Sequence, residues 1–229
     1  KWYAGETISL GIGQGYNNFT MLQMATAMST LATGGQRFKP RLVRDVEDVV
    51  RHENRRIASD ALPPLPLKPE HVQVILSAMN GVTLEGTSRL AFQGAPYQSG
   101  GKTGTAQAVG LKAGEKYSSI KADEHKRDHS LYVAFAPVEQ PTVALAVIVE
   151  NAGFGSASAA PIARRVFDYL LSGQYPSEDD IAKTQLGQSF APTGTPRRAQ
   201  DVPLPGAPVL PKAAASAASA ASAASGARP

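Results

Sequence analysis

The residues best suited to chemistry stand close together in residues 99–107, which read Ser-Gly-Gly-Lys-Thr-Gly-Thr-Ala-Gln. Side chains alternate between the two faces of a β-strand, so an extended conformation here would place Thr103, Thr105 and Gln107 on one face. Two hydroxyl groups on the same face can hydrogen-bond a substrate carboxylate. The segment therefore predicts a binding strand for a ligand that ends in a carboxylate.

Lys102 and Gly104 add two further properties to this strand. The lysine supplies positive charge that can hold an anionic substrate and stabilise negative charge as it develops. The glycine has no Cβ, so a ligand backbone can approach and pair with the strand edge. Lys-Thr-Gly is one of three signatures of serine enzymes that react with β-lactams, the others being Ser-x-x-Lys and Ser-x-Asn. The string alone is weak evidence, but a glycine pair and a predicted strand surround it.

Hydrophobic periodicity predicts the elements that must position this strand. One helix follows Thr20, a suitable N-cap, and stops at Gly34, while a second begins at Pro69 and is closed by Gly81 and Gly86. Extended chain is predicted for residues 38–50 and a loop for residues 62–66. Strands are predicted over residues 99–109, 131–136 and 143–150, followed by a helix over 156–171.

This order of elements predicts an α+β fold, with an antiparallel sheet that carries helices on its faces. The folded domain is expected over residues 1–173. Residues 174–229 are rich in Pro, Ala and Ser and include an Ala-Ala-Ser repeat, so we expect a disordered tail with little apolar surface to bury.

Charge and composition argue against several classes of protein. The pI is about 9.3, but residues 1–182 hold 18 basic and 18 acidic side chains, so the net charge of +4 lies in residues 183–229. A neutral body is not expected to bind nucleic acid. The chain has no cysteine, which excludes disulfides and thiolate zinc sites, and no apolar run of 18 residues.

Two other patterns have ordinary structural interpretations. His125 and His129 are four residues apart and could share a helix face as metal ligands, but the charged residues between them favour a solvated loop. The glycines at positions 11, 13 and 15 resemble a phosphate loop only superficially, because no strand precedes them. We expect a tight turn there that lines the substrate cleft.

Several motifs in sequence order resemble the class B penicillin-binding proteins. They are Gly-Ile-Gly-Gln-Gly at residues 11–15, Leu-Gln-Met-Ala at 22–25 on a helix that ends Thr-Gly-Gly, and Lys-Thr-Gly-Thr-Ala-Gln at 102–107. Residues 110–113, 127–129 and 134–137 are similar to the elongation-specific branch, the penicillin-binding protein 2 group. The resemblance covers about residues 5–172, and Met21 departs from it where the family usually has Pro.

The resemblance implies a penicillin-binding, β-lactamase-like transpeptidase fold that is incomplete on its N-terminal side. In that family a serine attacks the penultimate D-alanine carbonyl of a peptidoglycan stem peptide, and the acyl group then passes to a neighbouring stem. Lys102 would be the third-motif lysine, and Thr103 and Thr105 would hold the terminal carboxylate beside Gly104 and Gln107. The Thr105 N–H would be one oxyanion-hole donor. No cofactor and no metal are implied.

The nucleophile is the main gap in this resemblance. The sequence contains no Ser-x-Asn. A Ser-x-x-Lys runs from Ser118 to Lys121, but it follows Lys102 inside a polar loop. The family's nucleophile precedes the third motif, so we reject Ser118 and expect the serine upstream of Lys1, which would leave this fragment inactive. The alternatives are a serine β-lactamase and a catalytically inactive scaffold or sensor with the same fold.

The resemblance also implies partners and a location. We expect peptidoglycan stem peptides that end in D-Ala-D-Ala and β-lactams as ligands. A membrane-embedded glycan polymerase and rod-shape scaffold proteins would be the protein partners of the full-length parent. The parent would sit on the periplasmic face of the bacterial inner membrane, with its anchor outside this chain.

Overall fold

The computed structural model describes residues 2–110, 114 and 123–202. Along this part of the chain the helices are α1 (Ala4–Gly11), α2 (Met21–Ala32), α3 (Pro69–Leu84), α4 (Arg89–Phe92), α5 (Ala159–Ser172) and α6 (Glu178–Gln185). The strands are β1 (Arg37–Phe38), β2 (Asp45–Asp48), β3 (Glu53–Arg56), β4 (Ala61–Leu62), β5 (Gly100–Ala106), β6 (His129–Ala136), β7 (Val143–Val149), β8 (Gln174–Tyr175) and β9 (Arg197–Arg198).

The centre of the fold is a three-stranded antiparallel sheet in the order β5, β6, β7. Thr103 pairs with Tyr132 and Gly101 pairs with Ala134 across β5 and β6. This sheet and the helices around it confirm the predicted α+β class. Within the described residues, β5 is an edge strand, so one side of its backbone faces away from the sheet.

Each face of the sheet packs against different helices. Tyr132 and Ala134 of β6 lie in one apolar cluster with Phe92 of α4 and Phe167 of α5. Phe135, which points to the other face, packs with residues of α2 and α3, among them Met28 and Met79. Full burial of a large apolar side chain is worth about 1.5–3 kcal/mol, so these two clusters supply much of the free energy that holds the sheet between the helices.

Local sequence explains where the two long helices beside the sheet begin. The Thr20 side chain accepts a hydrogen bond from the Gln23 N–H, and the Gln23 side chain accepts one from the Thr20 N–H, which forms a reciprocal capping box. Pro69 occupies the first position of α3, where its missing N–H costs no helical hydrogen bond. Both starts agree with the prediction, whereas Gly81 lies inside α3 instead of ending it.

The structure contains elements that periodicity did not predict. Helix α1 precedes the glycine-rich turn, and β3 and β4 follow the extended chain predicted over residues 38–50. That predicted range contains β2 and the end of β1, which pair with β3 and β4 as two ribbons. Strand β3 is exposed along its whole length, which explains why apolar alternation did not reveal it. The predicted strand over residues 99–109 ends at Ala106, so Gln107 lies just outside it.

The ordered chain continues past Gly173, where composition predicted the start of a disordered tail. In residues 174–202 the structure has β8, α6 and β9, which differs from that expectation. A buried polar cluster provides the reason, because Asp180 is fully buried and accepts hydrogen bonds from Arg165 of α5, Ser189 and Thr193. Apolar periodicity does not report such a cluster. Residues 203–229 lie outside the described residues, so the tail remains a prediction there.

The pKa of Asp180 reflects two opposing effects. Burial by itself raises it, whereas hydrogen bonds from Arg165 and Ser189 and the charge of Arg165 lower it, and the net pKa lies below the usual value. A carboxyl group whose pKa is lowered by folding stabilises the fold above its unfolded-state pKa of about 4. That contribution is lost as the pH falls from there through the folded-state value.

No helix within residues 2–110 and 123–202 combines the length and the apolar character needed to cross a lipid bilayer.

We predict that Asp180→Ala lowers the free energy of unfolding by about 3 kcal/mol at pH 7, because it leaves the Arg165 guanidinium nearly buried and unpaired. The difference from wild type should shrink at pH 3, where wild type has lost part of the same contribution. Urea unfolding at both pH values measures this. Asp179→Ala is the matched control, since Asp179 forms an exposed ion pair with Lys183 and its loss should change little. Equal effects of the two variants would contradict the assignment.

Candidate active site

Strand β5 presents the backbone groups of alternate residues to its open side. The Thr103 carbonyl accepts a hydrogen bond from Lys102 Nζ at 2.8 Å, and the Thr105 carbonyl lies 3.5 Å from Gln14 Nε2. In an antiparallel strand the N–H and C=O of one residue point to the same side. The N–H groups of Thr103 and Thr105 therefore point away from β6 as well. An extended ligand could pair with this edge as an added strand.

The side chains of β5 divide between the two faces of the sheet. Thr103 and Thr105 pair with Tyr132 and Ser130, so both lie on the face that packs against α5. Lys102 pairs with Val133 and lies on the opposite face, toward α2 and α3. The shared face predicted for the two threonines agrees with this register. The exposed Gln107 follows the end of the strand, so strand alternation does not fix its direction.

A cavity of about 220 Å³ lies beside Lys102 on the α2 side of the strand. The turn after α1, the first turns of α2, and strands β5, β6 and β7 all contribute to its walls. Among its lining residues are Gly13, Gln14, Met21, Met24, Lys102, Thr105, Leu131 and Val133. The glycine-rich segment thus forms the expected turn beside β5, and Gly13 and Gly15 adopt the positive φ values of +80° and +65° that favour glycine there.

Tyr132 fills the space beneath the start of β5. A Cβ built on Gly101 would lie 2.1 Å from the Tyr132 hydroxyl oxygen, so only glycine fits above the ring. The same hydroxyl lies 3.0 Å from Ser88 Oγ. Burial raises the pKa of Tyr132 to about 12, although the hydrogen bond with Ser88 lowers it, so the phenol is neutral at physiological pH. The start of β5 therefore packs on a neutral tyrosine ring that a buried hydrogen bond with Ser88 holds in place.

Gly155 packs directly against the backbone of the same strand. A Cβ at this position would lie 2.3 Å from the Leu131 carbonyl oxygen and 2.5 Å from the Gly104 carbonyl oxygen. On the other face, a Cβ added to Gly104 would lie 3.2 Å from Leu131 Cβ. Gly155 on one face and Leu131 on the other therefore both pack closely at Gly104. A methyl group added at Gly155 would displace β5, the strand that carries Lys102.

The two candidate histidines are not brought into the site. Residues Ser118 and Lys121 lie outside the described residues. His129 begins β6 and accepts a hydrogen bond from the Asn151 N–H, whereas His125 belongs to a separate 3₁₀ turn. The described residues contain no group of three His, Cys, Asp or Glu side chains that could hold a metal ion.

The family model for the penicillin-binding protein transpeptidase domain matches residues 1–168. The chain belongs to the penicillin-binding transpeptidase family. Its similarity to the peptidoglycan D,D-transpeptidase MrdA of Haemophilus influenzae is 39% identity over 181 residues. That alignment covers 76% of this chain and 27% of the relative, so the chain spans about a quarter of the length of this transpeptidase.

Solved structures of penicillin-binding transpeptidases give the same result. The chain is similar to penicillin-binding protein 2 of Pseudomonas aeruginosa in complex with WCK 5153, with a TM-score of 0.58 and 34% identity over 74% of this chain and 33% of that one. It is also similar to a chain of a peptidoglycan synthase complex that coordinates polymerisation and crosslinking. There the TM-score is 0.59 and the identity 28%, over 77% of this chain and 28% of that one.

Three residues near β5 were not predicted to belong to the site. Gln14 was visible in the glycine-rich motif, but its contact with Thr105 depends on the turn after α1. The Thr87 hydroxyl oxygen lies 3.0 Å from the Thr103 hydroxyl oxygen, but the segment around Thr87 contains no recognisable sequence motif. Gly155 contributes by packing closely against the backbone of β5 and β6. Only the tertiary fold brings these residues to the strand.

We predict that Gly155→Ala destabilises the 229-residue chain by about 1–3 kcal/mol, because the added methyl group must displace the backbone of β5 and β6. Urea denaturation measures the loss. Gly5→Ala in α1 is the matched control, since its Cβ would meet nothing within 4 Å and alanine favours a helix. A Gly155→Ala variant as stable as Gly5→Ala would show that the close packing beneath Gly104 is unimportant.

Proposed function

We propose that this chain forms the Lys-Thr-Gly side of the active site of a peptidoglycan D,D-transpeptidase. The observation that supports this most is the open edge of β5, where Lys102, Thr103 and Thr105 combine cationic, hydroxyl and backbone N–H groups within a domain of the penicillin-binding family. These groups suit a peptide that ends in a carboxylate and carries an acyl group to be transferred.

In the proposed complex the stem peptide lies along the outer edge of β5. The hydroxyl groups of Thr103 and Thr105 donate hydrogen bonds to the terminal carboxylate of D-Ala-D-Ala, and Lys102 supplies compensating positive charge. Gly104 leaves the opposite face of the strand, next to Lys102, without a second side chain, and Gln107 lies at the end of the bound peptide. This arrangement fixes the scissile amide relative to the strand before any bond changes.

The proposed reaction has two steps, acylation of a serine and transfer of the acyl group to a neighbouring stem peptide. A serine Oγ attacks the carbonyl carbon of the penultimate D-alanine, the C–N bond breaks, and the terminal D-alanine leaves with a proton on its amine. An amino group of a neighbouring stem attacks the resulting ester, forming the cross-link and releasing the serine hydroxyl. The Thr105 N–H, which points to the open side, stabilises the oxyanion in both steps, and one such donor is worth about 100- to 1,000-fold in rate.

The nucleophile in this proposal is a Ser-x-x-Lys serine on a segment upstream of Lys1 in the parent protein. Among the described residues the spacing Ser-x-x-Lys occurs from Ser99 to Lys102, but that lysine is the Lys-Thr-Gly lysine and Ser99 is buried just before β5. Ser118 follows β5 instead of preceding it in the chain. Because a β-lactam resembles D-Ala-D-Ala and also carries a carboxylate, the same serine and the same strand would react with penicillin.

The cellular role is proposed from the relatives. The similarity to MrdA and to penicillin-binding protein 2 supports a role in cell elongation and shape, with the enzyme on the periplasmic face of the bacterial inner membrane. The similarity to a chain of a peptidoglycan synthase complex supports a glycan polymerase as partner, with rod-shape scaffold proteins nearby.

We predict that Lys102→Ala slows acylation by benzylpenicillin about 100-fold or more in the full-length protein, because it removes the charge directed at the anionic ligand. The acylation rate is measured by quenching the reaction at several times and determining the acylated fraction by intact-mass spectrometry. Lys39→Ala, which removes an exposed lysine next to β1, is the control and should react like wild type. Equal acylation of Lys102→Ala and wild type would overturn the assignment of the lysine.

A further inference from the structure

The last turn of α3 and the connection to α4 contact β5, or the residues around it, at every second position. Thr83 Oγ1 donates a hydrogen bond of 2.6 Å to the Ser99 carbonyl, just before the strand. Ser88 Oγ lies 3.0 Å from the Tyr132 hydroxyl, which fills the space beneath Gly101. The third contact is between side chains, with 3.0 Å separating Thr87 Oγ1 from Thr103 Oγ1.

Two of these three contacts are buried and fix the turn in place. Thr83 is 6% exposed, and Ser88 and Tyr132 are each 1% exposed. Loss of one partner of a buried hydrogen bond leaves a polar atom unsatisfied at a cost of about 1–3 kcal/mol, so these bonds resist movement of the turn.

Close backbone packing fixes the same turn a second time. A Cβ on Gly86 would lie 2.7 Å from Val82 Cα, so this glycine rests directly on the last turn of α3. The Gly86 N–H also donates to the Gly81 carbonyl at 2.9 Å, and the Ser88 N–H donates to the Val82 carbonyl at 3.1 Å. Thr87, between these anchored residues, has little freedom to leave Thr103.

Thr87 differs from Thr83 and Ser88 because its side chain is exposed. Its hydroxyl does not support the core, and its described side-chain partner is the threonine proposed to bind the substrate carboxylate. We propose that Thr87 is a positioning residue that orients the Thr103 hydroxyl toward that carboxylate. This inference rests on the proposed function of β5.

The direction of the hydrogen bond follows from the ligand. A carboxylate only accepts hydrogen bonds, so Thr103 must use its single O–H to donate to it. The Thr103 oxygen then accepts from Thr87, giving a chain from the Thr87 hydroxyl through the Thr103 hydroxyl to the carboxylate. Each bond in such a chain polarises the next. Within the described residues, Thr87 is the hydrogen-bond partner of the Thr103 hydroxyl, so its loss removes the contact that selects this orientation.

The test compares Thr87→Val, which keeps the shape and removes the hydroxyl, with Thr87→Ser, which keeps the hydroxyl. Acylation of the full-length protein is measured with benzylpenicillin and with its methyl ester, which lacks the carboxylate. We expect Thr87→Val to slow acylation by benzylpenicillin about fivefold to tenfold, as for the loss of one hydrogen bond between neutral groups, with little effect on the ester. Thr87→Ser should recover most of the rate.

Thr142→Val, on the exposed connection between β6 and β7, controls for loss of a threonine hydroxyl elsewhere. Equal slowing of benzylpenicillin and its ester by Thr87→Val would indicate a general structural role and overturn the proposal. Unchanged kinetics with both compounds would overturn it as well. Thermal unfolding of each variant shows whether the fold is intact.

A measurement on the 229-residue chain separates this proposal from the proposed function. NMR couplings of the Thr103 side chain report its χ1 rotamer populations. We expect one dominant rotamer in wild type and Thr87→Ser, and a mixture in Thr87→Val. If the full-length wild type is not acylated at all, the proposed function fails, and the rotamer populations still decide whether Thr87 positions Thr103. The same populations in all three proteins would contradict it.

Discussion

Within the described residues, strand β5 pairs with another strand on one side only, and the candidate site depends on that asymmetry. Its pairing with β6 fixes the register that points the backbone groups of Thr103 and Thr105 outward. An unpaired edge normally invites non-specific association. Here the edge carries Lys102, Thr103 and Thr105, and we propose that it accepts a peptide with a terminal carboxylate as its added strand.

The rest of the fold holds this strand without covering its outer edge. Apolar clusters clamp the two faces of the sheet, Gly155 packs on the backbone at Gly104, and Tyr132 supports Gly101 from below. The turn after α3 adds hydrogen bonds from side chains, ending at Thr87. Binding geometry is more precise when the side chains involved are held by their neighbours, and these contacts provide that support. The segment after Gly173 packs on α5 and reinforces the helix behind the sheet.

Much of this arrangement could be predicted from the sequence, because strong local signals carry it. Thr20 and Pro69 mark helix starts by capping chemistry, and the near-continuous apolar run of β7 indicates a strand covered on both faces. Thr87 and Gly155 could not be found this way, since their roles come from contacts between distant segments. The fold around Asp180 was missed because a buried ion pair leaves no hydrophobic period.

The most direct test of the account is intact-mass spectrometry after treatment with benzylpenicillin. It compares the 229-residue chain with a longer protein that includes the residues upstream of Lys1. The account predicts a single covalent adduct on the longer protein and none on the shorter chain, because β5 binds the ligand while an upstream serine reacts with it. An adduct on the shorter chain would place the nucleophile within it and contradict the rejection of Ser118. No adduct on either protein would contradict the transpeptidase function and favour an inactive scaffold.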